Sequence, residues 1–128
     1  MSRDIHFDDV RHGISAFGET ATFITVNDTS TPHVVTAIIQ VGDHRLVAEV
    51  GSRTRDNLTR RPDLALVWNP VDGGEYQLIL DGVADRIGDP NEQGVSTVSI
   101  AVTRGILHRL AGLSTDGPSC LAVGSPSA

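Results

Sequence analysis

Gly51-Ser52-Arg53-Thr54-Arg55-Asp56-Asn57-Leu58-Thr59-Arg60-Arg61-Pro62 is the stretch on which the reading of this chain turns. A glycine breaks the strand before it, a Ser or Thr caps a short polar helix, and a proline stops that helix. Upstream, residues 45–50 read as a strand with Leu46, Ala48 and Val50 on one face. Downstream, residues 64–68 read as another strand, ending on Trp68. A helix that starts where a strand ends points free backbone N–H groups at anions. Here Ser52 and Thr54 add hydroxyl donors, and Arg53 and Arg55 add guanidinium forks suited to phosphate. The segment reads as a monophosphate cradle. The bland alternative is a solvated basic helix with an ordinary cap.

Working outward, the hydrophobic period changes several times. Residues 5–18 read as an amphipathic helix, with Ile5, Val10, Ile14 and Phe17 at helical spacing and Gly18 as the stop. Residues 20–26 read as a strand with Thr22, Ile24 and Val26 on one face. Asn27-Asp28-Thr29-Ser30-Thr31-Pro32 is a turn cluster. Residues 33–41 form a second strand, with Val35, Ala37, Ile39 and Val41 on one face and Val34 and Ile38 on the other. Apolar residues on both faces predict burial on both. Gly42-Asp43 predicts a tight hairpin turn. Residues 75–87 predict a long strand whose central Gly82 marks a bulge or barrel corner. After a turn at 88–92, residues 94–103 alternate cleanly as a last strand.

Six short strands with turn signals between them predict a mainly β protein: a six-stranded antiparallel barrel with short helices. Closure removes the sheet edges that would otherwise aggregate. The reading gives one domain over residues 1–113, comprising the helix 5–18 and the barrel 19–103, then a Ser-, Gly- and Pro-rich flexible tail over 114–128.

Composition narrows the function. The 128 residues carry 16 acidic and 10 basic side chains, a formal charge of −6, which argues against a general nucleic-acid binder. Aromatics are only 4%, so the core must be built from Val, Ile, Leu and Ala, and a second subunit is expected to complete it. Lysine is absent, which excludes Schiff-base chemistry and a Walker-type phosphate loop. The single cysteine, Cys120, excludes an internal disulfide framework. His6, His12, His33, His44 and His108 are scattered without metal-ligand spacing, so no metal site is expected. No apolar signal region or membrane-length run is seen, and a soluble cytoplasmic protein is expected. Asp81 and Asp85 are expected to face solvent, and Trp68 to anchor the core or a subunit interface.

Three segments in order resemble the pyridoxamine 5′-phosphate oxidase-like, FMN-binding split-barrel family in its short actinobacterial form. The first is Phe23-Ile24-Thr25-Val26-Asn27-Asp28 followed by Thr31-Pro32-His33-Val34-Val35. The second is Gly51 to Leu58 followed by Arg61-Pro62-Asp63-Leu64-Ala65-Leu66-Val67-Trp68, similar to the family's phosphate segment. The third is Tyr76-Gln77-Leu78-Ile79-Leu80-Asp81-Gly82-Val83-Ala84. The likeness covers about residues 18–103, and Thr103 to Arg109 is similar to short members of the group.

The resemblance implies a homodimer with FMN in clefts at the interface. It assigns the phosphate to Ser52, Arg53, Thr54 and Arg55, with Asn57 on the same helix. It sets His33, Val34, Val35 and Thr36 beside the flavin ring, and Val47 and Ala48 on the ring's other side. It also implies an oxidoreductase acting on a small molecule, in which the cofactor supplies the redox chemistry. A deazaflavin in the same cleft, or a non-catalytic flavin- or haem-binding module, are the alternatives. Two departures bear on this. Thr54 stands where the family places a second phosphate cation, unless Arg55 replaces it. The chain also lacks the family's helical insertion and its Arg/Trp-rich C-terminal segment, which argues against true pyridoxamine-phosphate oxidation. No catalytic acid or base is assigned; His33 and His108 are the groups that titrate near neutral pH.

Overall fold

The computed structural model describes residues 5–112 and 120–124. Two helices, α1 (Phe7–Phe17) and α2 (Ser52–Arg60), accompany seven strands: β1 (Thr20–Val26), β2 (Pro32–Val41), β3 (Leu46–Val50), β4 (Asp63–Trp68), β5 (Tyr76–Ile87), β6 (Ser96–Arg109) and β7 (Cys120–Ala122). The strand order is β3-β2-β1-β4-β5-β6-β7, and β3 also pairs with β6. That last pairing closes six strands into an antiparallel barrel, with β7 added outside the ring on the far half of β6.

Alternation builds the barrel interior. Phe23, Ile39, Leu46, Leu66, Leu80, Val98 and Ile100 are buried inside it. Each such side chain contributes about 1.5–3 kcal/mol through burial, which is how a chain poor in aromatics still holds a core. Trp68 belongs to this core, and its indole N–H donates to the Gly18 carbonyl at 2.8 Å. Gly18, at φ 96°, ends α1 in a conformation that favours glycine. The outer face of β2 is different. Val34 and Ile38 stay 57% and 58% exposed, so within a single chain only one face of this strand is buried.

Gly82 bends β5 as its position predicts. The β5–β6 register shifts between Asp81 and Gly82. A Cβ at Gly82 would stand 2.8 Å from Ile100 Cγ2 and 3.0 Å from the Ala101 carbonyl oxygen.

The structure revises two sequence expectations. The last barrel strand does not stop near residue 103; β6 runs on to Arg109. Thr103-Arg104-Gly105 breaks the alternation that signals a strand, but the first half of β5 supplies a ladder, pairing Ile79 with Ile106 and Leu78 with Leu107. Tertiary pairing overrides local pattern here. The tail is also revised over its described part. Leu121 and Ala122 pair with Leu107 and Ile106, and Val123 packs against the core. The remainder of that tail, 114–119 and 125–128, lies outside the described residues.

Helix α1 packs on the core through Val10 and Ile14. Its Arg11 crosses the Phe7 ring at 5.3 Å and donates to the carbonyls of Gly42 and Asp43 at 3.1 and 3.0 Å. The β2–β3 turn is thereby tied to the helix.

Candidate functional site

The β2–β3 ladder is short. Only Ile39, Gln40 and Val41 pair, with Ala48, Val47 and Leu46. Beyond that point the strands part. The first half of β2 stays with β1, pairing Thr36 with Thr22 and Val34 with Ile24. The end of β3 stays with β6, pairing Glu49 with Thr97 and Val50 with Ser96. A groove opens between them, and α2 begins at its end.

Two adjoining hollows make up this groove. The one at the helix mouth has a volume of about 370 Å³ and is lined by His33, Val35 and Thr36 on one side and by Glu49 and Gly51 to Thr54 on the other. The second, about 490 Å³, runs along the outer face between Thr36, Ile38 and Gln40 on β2 and Val47 and Glu49 on β3, with Thr97 beyond. Thr36, Ala37 and Glu49 border both.

The helix mouth is open. Gly51 is its N-cap, in extended backbone, and no side chain caps the helix. The sequence pattern predicts a Ser or Thr cap. Ser52 lies instead inside the helix, so the first-turn amides lack a side-chain acceptor. The first turn carries no acidic residue, so the positive end of the helix dipole is not offset there. A Cβ on Gly51 would meet nothing within 4 Å, which leaves the backbone approachable. Arg53 is exposed beside the groove, and no ion pair among the described residues engages it.

The structure brings together His33, Val35, Thr36, Ser52, Arg53 and Thr54, and places Val47 and Ala48 in the adjoining hollow. Several of these differ from their expected roles. Thr54 is 2% exposed, beneath the first turn. Ala48 is buried in the barrel, because β3 alternates and only its odd-numbered residues face out. Arg55 lies elsewhere, lining a separate hollow with Leu58, Pro62 and Ile87, and pairs with Asp56 at 3.4 Å. It lines neither hollow of the groove. Asn57 is buried, and its amide donates to Thr25 Oγ1 at 3.0 Å. Val34 lies on the outer face of β2 and lines neither hollow. His108 pairs with Gln77 and Cys120 on other strands.

Sequence reasoning missed Glu49, Gln40 and Thr97. The signal for Glu49 was present: if Leu46, Ala48 and Val50 point inward, Val47 and Glu49 share the outer face. Asp81 and Asp85 face outward as expected, toward Arg104 and Arg45 respectively. Burial raises the Asp85 carboxyl, but hydrogen bonds from Arg45 and Ser99 outweigh it and hold the pKa below its ordinary 3.8. Among the described residues, no group of three or more His, Cys, Asp or Glu could hold a metal ion, and no helix is long and apolar enough to cross a membrane.

Known proteins share this architecture. No family model matches the chain. Protein Mb0449c of Mycobacterium bovis and protein MT0457 of Mycobacterium tuberculosis are each 35% identical to it over 63 residues, 49% of this chain. The matched segment spans less than half, 44%, of the length of those curated relatives. Among solved structures, an F420 reductase superposes with a TM-score of 0.62 at 14% identity, covering 71% of this chain and 94% of its own. A Clostridium acetobutylicum protein related to general stress protein 26, of the pyridoxinephosphate oxidase family, gives 0.62 at 10% identity over 78% and 86%. HutZ, a haem storage protein of Vibrio cholerae, gives 0.59 at 13% identity over 82% and 95%. The fold is thus the split barrel shared by pyridoxamine-phosphate oxidase-like proteins, F420 reductases and HutZ.

Proposed function

We propose that this chain is a cofactor-binding split-barrel oxidoreductase of the pyridoxamine 5′-phosphate oxidase-like family, acting on a small molecule in the cytoplasm. It takes FMN, or a deazaflavin of the same plan, in the groove between β2 and β3. The supporting observation is the continuity of that groove: an uncapped helix N-terminus with a free arginine at one end runs into a more enclosed, partly apolar channel along two strands. A phosphate fits the first part and a planar ring the second.

The residues divide the work as follows. The amides at the start of α2, the Ser52 hydroxyl and the Arg53 guanidinium hold the phosphate. Thr36 and Val47 flank the ring from opposite strands. His33, at the end of the groove, presents an imidazole that can donate or accept a hydrogen bond there. When bound, the flavin supplies the redox chemistry, and this chain supplies position and charge. The half-exposed apolar face formed by Val34, Ile38 and Ile24 is the surface on which a second copy packs, making the protein a homodimer. Haem is the second reading, favoured by His33 as the imidazole within the groove.

A binding screen tests this. Purified protein should quench FMN or F420-type deazaflavin fluorescence at micromolar concentration, and Arg53→Ala should weaken binding by about 10- to 100-fold, the scale of a charge-assisted hydrogen bond. Failure to bind either ligand would overturn the flavin reading, and a Soret shift on adding haem alone would favour the second.

A further inference from the structure

Glu49 stands where the two hollows meet. It is exposed on the outer face of β3, opposite Thr97, and borders both hollows with Thr36 and Ala37. None of the ion pairs among the described residues engages it. The charged or titratable groups that line the same hollows are Arg53 and His33. A ligand with its phosphate at the helix mouth and its ring along the strands must pass this carboxylate. Ser52 follows Glu49 by three positions, at most about 10 Å when extended, so two negative charges would share a small space. The part of the ligand lying at Glu49 is therefore not anionic. An ionised carboxylate only accepts hydrogen bonds, so its partner must donate them.

We propose that Glu49 is a specificity residue that selects ligands carrying a chain of hydroxyl donors, a polyol, between the phosphate and the ring. The inference rests on the cofactor reading above and deepens it. Thr36, Gln40 and Thr97 border the outer-face hollow and extend the set of polar partners available there. Glu49 disfavours the phosphate by repulsion and favours the linker by charge-assisted hydrogen bonding, so it discriminates by ligand architecture and not by overall affinity.

Three ligands separate these contributions: lumiflavin has the ring alone, riboflavin adds the polyol, and FMN adds the phosphate. Affinities are measured by fluorescence quenching for the wild type, Glu49→Gln and Glu49→Leu. In the wild type, riboflavin should bind more tightly than lumiflavin. Glu49→Leu should shrink that preference by about 10-fold or more, the loss of charge-assisted bonds. The same variant should raise the preference for FMN over riboflavin, because the repulsion is gone. Glu49→Gln, which keeps an acceptor without the charge, should fall between. An unchanged preference in Glu49→Leu, or equal weakening of all three ligands, overturns the role. Wild-type protein that binds none of the three overturns the FMN reading, and the proposal with it.

Discussion

The Asn57 amide donates to the Thr25 hydroxyl at 3.0 Å in the buried interior, joining α2 to β1. This bond fixes the seat of the helix whose N-terminus opens the groove. Asn57 thus supports the helix from beneath, with its amide turned to Thr25. Its loss leaves a buried hydroxyl without this donor, at a cost of about 1–3 kcal/mol. Asn57→Ala should lower the urea midpoint accordingly. Combined with Thr25→Val, the second change should cost less than it does alone, because the two share one interaction. Additive losses in that double-mutant cycle would show that the bond is not formed in solution.

Gly82→Ala should destabilise the barrel. The added methyl meets Ile100 Cγ2 and the Ala101 carbonyl, inside ordinary contact distance. Overpacking of this kind costs about 1–3 kcal/mol. Thermal melts of the variant check it, and an unchanged midpoint would mean that β5 and β6 are farther apart than described.

Val34 and Ile38 are exposed on the barrel's outside, so glutamate at either should change the stability of a single chain by less than about 0.5 kcal/mol. Light scattering during size exclusion should give a dimer for the wild type and a monomer for Val34→Glu/Ile38→Glu. A wild type that elutes as a monomer at high micromolar concentration refutes the dimer.

Asp85 gives the fold a pH dependence of known sign. Its carboxyl is held below the ordinary value of 3.8, so the folded state binds the proton more weakly than the unfolded chain. Its contribution is fully present above pH 3.8 and is lost as pH falls through the lower folded value. The Arg45–Asp85 pair is partly solvated, with side chains 48% and 35% exposed, so the contribution is less than about 1 kcal/mol. Asp85→Asn should lower the melting temperature slightly at pH 6, and the gap to the wild type should close in strong acid. A gap that widens toward low pH would reverse the assignment.

The barrel was legible because alternation reports which face of a strand is buried. Ile39, Leu46 and Ile100 declared themselves in this way, and Gly82 marked its own bend; on β1 the face singled out, Thr22, Ile24 and Val26, is the partly exposed one, and Ala21, Phe23 and Thr25 turn inward. The second half of β6 was not legible, because Gly105 interrupts the pattern and its pairing comes from β5, far along the chain. The helix at 52–60 was read correctly, but its rotation was not. Thr54 and Asn57 turn inward and Arg55 turns to another hollow, since a short polar helix carries little apolar signal to fix its faces. Ser52 and Arg53 could be placed at the helix start from position alone, as the first two residues after a strand-ending glycine.

Gly105 is a meeting point. A Cβ placed there would lie 2.9 Å from Val123 Cγ2 and 3.0 Å from Ile5 Cδ1, so residues 5 and 123 come together over one glycine of β6. The order in which the strands are strung is then separable from the barrel they form. A short glycine-serine bridge from residue 124 to residue 5, with new ends cut at the exposed Asp72-Gly73 loop between β4 and β5, gives a circular permutant. It should fold to the same barrel, with its groove between β2 and β3 intact and both new ends projecting from the Asp72-Gly73 loop.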